Sequence, residues 1–335
     1  MFLNVWSIAL IICGLVVLFL MGIASRSSVR VLMFWDQESD SNRQIQLENE
    51  IWLTSTMVEY ALAVQVISLI VFILAADYFS NSIVGAMCAT GSLLANDFGV
   101  PALLVKIGGV FFYAFWIVLH QLDIRSENYP LVRMKFLYLL LLIPLLFLDI
   151  ALETLFILGL EPDIITSCCA VVFGDSVEGG TNLLAGFSHE VSMWLFYCSV
   201  LTLILIGLFL VVKWHAWTGL LFSSGWLWFF LLSLTVVTTE FSSYIYAMPF
   251  HKCPFCILKP EYHYIGFFIY SSLFLGAFLG MCVIVVEPLR SFKRLKTIVA
   301  HFQKSAIKIS LLLLIVFTCL ASFHYLKYML MGGEG

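Results

Sequence analysis

The residues best equipped for chemistry in this 335-residue chain are its nine cysteines, and two of them stand as Cys253-Pro-Phe-Cys256. A Cys-x-x-Cys pair at the start of a helix brings two sulfurs close enough to bond. The helix dipole and its unpaired N–H groups then favour thiolate at the first sulfur, the form that attacks disulfides. His251 and Lys252 before the pair, with Lys259 and His263 after it, add positive field where they are protonated and near. The same spacing serves metal sites and plain structural disulfides, so redox chemistry, ligation and cross-linking are all open.

A second pair, Cys168-Cys169, ends the acidic stretch Pro162-Asp-Ile-Ile-Thr-Ser. Adjacent cysteines bond to each other only in a strained ring, and strained disulfides are more oxidising and labile. One member can pair with Cys253 or Cys256, both can act as a second dithiol, or both can hold a soft ion such as Cu(I) or Hg(II). Two unrelated small residues at a helix end is the plain alternative. Cys88, in Gly85-Ala-Met-Cys-Ala-Thr-Gly91, is the odd thiol and a candidate partner for either pair. Cys13, Cys198, Cys282 and Cys319 lie in long apolar stretches, where cysteine behaves as a small hydrophobe.

The histidines add a different chemistry. His189, His251 and His263 are expected on one side of the membrane, where a pair could ligate haem or, with the thiols, a metal ion such as zinc. No His follows Cys256 directly, so covalent haem attachment is not indicated. His120 and His215 are expected at the opposite face and His324 in the last apolar stretch. Interfacial histidines without ligand function account for the same positions. Asp149 and Glu153 stand one helical turn apart on one face of an apolar stretch, and Glu59, Asp77 and Glu240 are further ionisable candidates. Charge in hydrocarbon is costly and faces the bundle interior, so these carboxylates belong either to a proton path or to helix-packing hydrogen bonds.

These residues must be positioned by membrane helices. With 62% apolar and 11% charged residues and a mean hydropathy of +1.02, the chain is excluded from the soluble globular class. About 20 apolar residues are needed to cross a hydrocarbon core. Eight such stretches lie near 4–24, 52–76, 100–120, 136–160, 190–212, 217–238, 264–286 and 307–330. None shows the strict alternation of a membrane barrel, so the expected fold is all-α: a single polytopic transmembrane bundle of about eight spans. The first stretch has basic residues after it and none before it, the reverse of a secretory signal, and is read as a retained helix. The intervening hydrophilic stretches are too short for a soluble core. No internal repeat and no Gly-rich phosphate loop is present, and no nucleic-acid partner is expected; membrane lipid is. Glu287-Pro-Leu-Arg-Ser-Phe-Lys-Arg-Leu-Lys296 reads as an amphipathic helix lying on an anionic leaflet.

Orientation follows from the basic residues, which resist translocation. Odd-numbered loops carry twelve of the seventeen Lys and Arg residues, and the even-numbered loops carry only Lys252 and Lys259. Both termini and the paired cysteines are therefore expected to face the periplasm of a bacterial inner membrane, where disulfides form and persist.

The stretch from Cys88 through Phe98-Gly99-Val100-Pro101 to Gly109 and Tyr113 resembles the vitamin K epoxide reductase family, in which a loop cysteine is followed by a Phe-Gly-Ile-Pro-like turn into an apolar helix. Cys253-Pro-Phe-Cys256 is similar to the quinone-side Cys-x-x-Cys of that family and of bacterial quinone-linked disulfide oxidases. The resemblance implies that Cys253 and Cys256 sit next to a quinone. It also implies that Cys88 or Cys168-Cys169 passes electrons inward from a periplasmic thiol protein. The leading expectation is thus a membrane thiol–disulfide oxidoreductase, with Cys253 the attacking thiolate. Its rivals are a soft-metal (Cu, Hg, Zn) or haem-handling protein and a non-catalytic subunit of a respiratory or biogenesis complex.

Overall fold

In lipid no water satisfies the backbone N–H and C=O groups, so a spanning segment must close its own hydrogen bonds, and a helix does. The computed structural model describes residues 4–36, 41–126, 129–161, 166, 188–248 and 251–331. Among the described residues there are helices and turns but no strand. The long helices are α1 (Val5–Phe34), α2 (Asn42–Ser80), α4 (Gly99–Ile124), α5 (Val132–Leu158), α6 (His189–Val212), α7 (Ala216–Val236), α9 (Ile265–Val285) and α10 (Lys296–Met331). The short α3 (Ala89–Leu93) precedes α4. A π-helical turn, Val237–Phe241, carries α7 into the short α8 (Ser242–Tyr246) as one continuous span. Eight helices are long and apolar enough to cross a membrane. The fold is all-α, and each of the eight expected stretches maps onto one of these helices.

Most helices run past the apolar stretch that announced them. α2 begins ten residues early because Ser41 caps it, accepting from Gln44 N at 3.3 Å, and because Gln44, Leu47 and Ile51 recur at helical spacing and are buried. Arg133 and Lys135, expected in a loop, lie in the first turn of α5. The expected amphipathic helix after Glu287 is instead one 3-10 turn, Glu287–Ser291, leading to α10.

Contacts divide the chain into two compact units. The first comprises Met1–Thr166 with Phe292–Ile298, the second Ser167–Ser291 with Val299–Gly335. In the first, α1 packs on α2 and α5, and α4 packs on the same two helices. The contact face of α1 is a stripe that includes Ser7, Gly14, Ala24 and Ser28. Small residues let backbones approach, which is how helices associate in lipid. At Gly14 a Cβ would stand 2.9 Å from the Ile150 side chain.

In the second unit α7 packs on α6 and α9. Trp226 lies against Gly276 and Gly280, and Ser223 Oγ donates to Gly280 O at 2.8 Å. Phe196 gathers Phe229, Phe241 and Phe317 around it. Outward-facing Phe19, Trp52, Trp194, Trp217 and Phe268 are all exposed. So many exposed large apolar side chains suit lipid rather than water.

Candidate functional site

The Cys-x-x-Cys segment belongs to the second unit, between α8 and α9. α8 ends where Ala247 adopts a left-handed conformation (φ 52°), and α9 begins after His263 and Tyr264, at φ 55° and 54°. Non-glycine residues enter this region rarely, at about 1–3 kcal/mol each, and such strain gathers at functional loops. Three of the four described non-glycine residues with positive φ thus flank this one segment.

Within it Cys253 is fully buried and Cys256 nearly so, and their sulfurs lie within 4.8 Å of each other. Tyr246 OH donates to Cys253 O at 2.5 Å, and Tyr270 OH donates to Pro254 O at 2.7 Å. The Tyr246 ring also meets His251 edge-on (4.7 Å between centroids) and Tyr262 (4.6 Å). Gly266 seats the loop on α9, since a Cβ there would stand 2.8 Å from Ile257 O. The Tyr262 hydroxyl is held above its ordinary pKa, first by burial and then by negative charge on Cys256, Glu261 and Cys253.

One expectation fails here. Cys253 does not open an α-helix; Cys256–Leu258 is a single 3-10 turn. Pro260 forces Lys259 into an extended conformation (ψ 156°) and stops propagation. The helix macrodipole therefore gives no account of a Cys253 thiolate. His251 and Lys252 are half-buried beside the pair, and His263 is exposed.

His189, grouped with these two histidines in the sequence, instead pairs through Nδ1 with Glu240, which the π-helical turn carries. Tyr244 and Tyr325 complete its surroundings. Cys88 is buried in the first unit as the N-cap residue of α3, where Ala89 N donates to Asp77 Oδ1 at 3.2 Å. Cys168 and Cys169 lie outside the described residues.

A second constellation occupies the first unit and is only half foreshadowed by Asp149 and Glu153. Lys106 of α4 is fully buried, with Nζ 3.0 Å from Asp149 Oδ1 and 2.6 Å from Glu153 Oε2. Its Nζ also donates to Ser68 Oγ at 3.1 Å and stands 5.7 Å from the Phe72 ring centre. Asp149 Oδ2 accepts from Gln65 Nε2 at 2.8 Å and from Tyr113 OH at 3.1 Å. Three helices thus converge on one buried ion cluster. A lone Lys inside an apolar stretch, as Lys106 is, signals a buried partner, though its sequence position does not say which.

A further network joins Lys135 Nζ to Asp123 Oδ2 at 2.8 Å, beside His120. His120 in turn faces Glu59, which accepts from Gln121. Asp123 Oδ1 also accepts from Leu131 N at 2.8 Å, tying α4 to the start of α5.

The eight apolar helices define an integral membrane protein. No protein-family model, curated protein or solved structure matches the chain.

Proposed function

We propose that the protein is a membrane thiol–disulfide oxidoreductase in which Cys253 and Cys256 alternate between dithiol and disulfide. The observation that carries this reading is the pair itself: two buried sulfurs within 4.8 Å, in a loop bracketed by left-handed residues and faced by tyrosine rings. Substrate oxidation starts when a thiolate of the partner protein attacks one sulfur of the Cys253–Cys256 disulfide, forming a mixed disulfide and releasing the other sulfur as thiolate. The partner's second thiolate resolves the link and leaves the Cys253–Cys256 dithiol. Transfer of two electrons and two protons from that dithiol to a quinone restores the disulfide and yields a quinol. The quinone is the cofactor class implied by the sequence resemblance, and the half-buried ring of Tyr262, packed on the buried Tyr246, is an aromatic surface in the same loop. Cys88 and Cys168-Cys169 are the candidates for a second dithiol between partner and quinone. By the distribution of basic residues the loop faces the periplasm of a bacterial inner membrane, and the partner is a periplasmic thiol protein.

Thiol trapping tests the reading. The purified protein, reduced and then given an oxidised quinone, should lose two alkylatable thiols at Cys253 and Cys256. Cys256→Ser should keep Cys253 alkylatable in the presence of quinone, and should form a mixed disulfide through Cys253 once a small-molecule disulfide is added. Thiols indifferent to quinone would sink the proposal, and stoichiometric copper, mercury or zinc in the same protein would favour ligation.

A further inference from the structure

Lys106, Asp149 and Glu153 place one ammonium against two carboxylates, every member at least nine-tenths buried. With all three ionised the cluster would carry a net negative charge in a low-dielectric interior, at a cost of several kcal/mol. Among the described residues that face the cluster there is no second cation. On α2 the facing groups are Gln65 and Ser68, on α4 Lys106 and Tyr113, and on α5 the two acids. α1 meets this part of α5 through Gly14, against Ile150. The Lys135–Asp123–His120 network begins fourteen residues further along α4, about 21 Å of helical rise away.

The two acids are not equivalent. Asp149 Oδ2 takes donors from both Gln65 and Tyr113, and Oδ1 faces Lys106. Hydrogen bonds to a carboxylate favour its charged form. Glu153, by contrast, meets the Lys106 ammonium through Oε2. A proton that neutralises the cluster is therefore better placed on Glu153, leaving Asp149 and Lys106 as the ion pair.

We infer that Glu153 holds one exchangeable proton within the membrane, and that Lys106, Asp149, Gln65 and Tyr113 form the cradle of a proton-binding site. The ligand is the proton itself, taken from water and returned to it. This inference does not depend on the cysteine chemistry, although a reaction that delivers protons to a quinone would have a use for such a store.

Infrared difference spectroscopy of the purified full-length chain reads the site directly. At neutral pH wild type should show one protonated-carboxyl carbonyl band in a nonaqueous environment, shifting in D₂O as the proton exchanges. Alkaline titration should convert it to carboxylate. Glu153→Gln should lose the band, and so should Asp149→Asn, because removing either carboxyl leaves a single carboxylate to balance the Lys106 ammonium. Lys106→Met, close to Lys in shape, removes the ammonium that pairs with both acids, so both should be protonated and the band should roughly double. Absence of the band in wild type at neutral pH overturns the inference without any variant, as does its survival in Glu153→Gln. An unchanged band in Lys106→Met would overturn the charge-balance argument.

Discussion

At the scale of single residues, the buried ion cluster offers a graded test of how charge is tolerated in this protein. Removing one partner of a buried pair leaves the other uncompensated, typically at about 3–5 kcal/mol, whereas losing one hydrogen bond to a charged group costs about 1.5–3 kcal/mol. Asp149→Ala should accordingly destabilise the chain more than Tyr113→Phe, since Lys106, Gln65 and Tyr113 each lose a partner in the first case, while Asp149 keeps Gln65 and Lys106 in the second. Unfolding in detergent by heat or denaturant gives the ranking; equal losses would mean that water reaches the cluster and screens it. The i, i+4 spacing of Asp149 and Glu153 was legible in the sequence because one helix fixes it. Their partner was not, because Lys106 meets them only through the register of α4 against α5, which no local pattern encodes. The cysteine loop shows the same divide. Its residues announce their chemistry by type and spacing. The 3-10 turn that replaces the expected α-helix depends on Pro260, whose effect on Lys259 can be read locally, and on the left-handed turn at His263 and Tyr264, which cannot.

At the scale of elements, glycines at helix contacts carry the packing, and their roles can be separated by what a methyl group would meet. Gly276 and Gly280 stand four apart on α9, the small-xxx-small spacing that lets membrane helices approach closely, and both face the Trp226 indole of α7. A Cβ at Gly276 would lie 2.9 Å from Trp226, and one at Gly280 would collide with the same ring. Gly280→Ala should therefore destabilise the second unit by about 1–3 kcal/mol through overpacking. Gly22→Ala, with nothing within 4 Å, should be neutral or mildly stabilising, because Ala is the better helix former by about 1 kcal/mol. Parallel unfolding curves decide it: a Gly280→Ala protein as stable as wild type would show that α7 and α9 are not held by this contact. Element lengths fell short in the sequence for a related reason. Apolar composition marks the hydrocarbon-spanning part of a helix, while extensions such as the first ten residues of α2 are held by a Ser41 cap and a sparse buried face.

At the scale of the whole molecule, the helix count was legible because each span needs about 20 apolar residues and the loops between them are short. The division into two units was not, since it depends on which helices touch. Sidedness is the property on which the proposed chemistry rests, because oxidising a partner's thiols to lasting disulfides belongs to an oxidising compartment. Basic residues predict that the turns near Ser82 and Glu261 face outward and those near Arg125 and Lys293 face the cytoplasm. All four positions are exposed. Cysteine introduced at each in turn should react with a membrane-impermeant maleimide, above the parent chain's background, from the outside of intact spheroplasts only for Ser82→Cys and Glu261→Cys. Arg125→Cys and Lys293→Cys should react only after permeabilisation. The inverse pattern would place the cysteine loop in the reducing cytoplasm and remove the main reason to prefer redox chemistry over ligation. A split result, with Ser82→Cys outside and Glu261→Cys inside, would mean that one of the intervening helices does not cross, and that the two cysteine-bearing loops cannot serve the same partner.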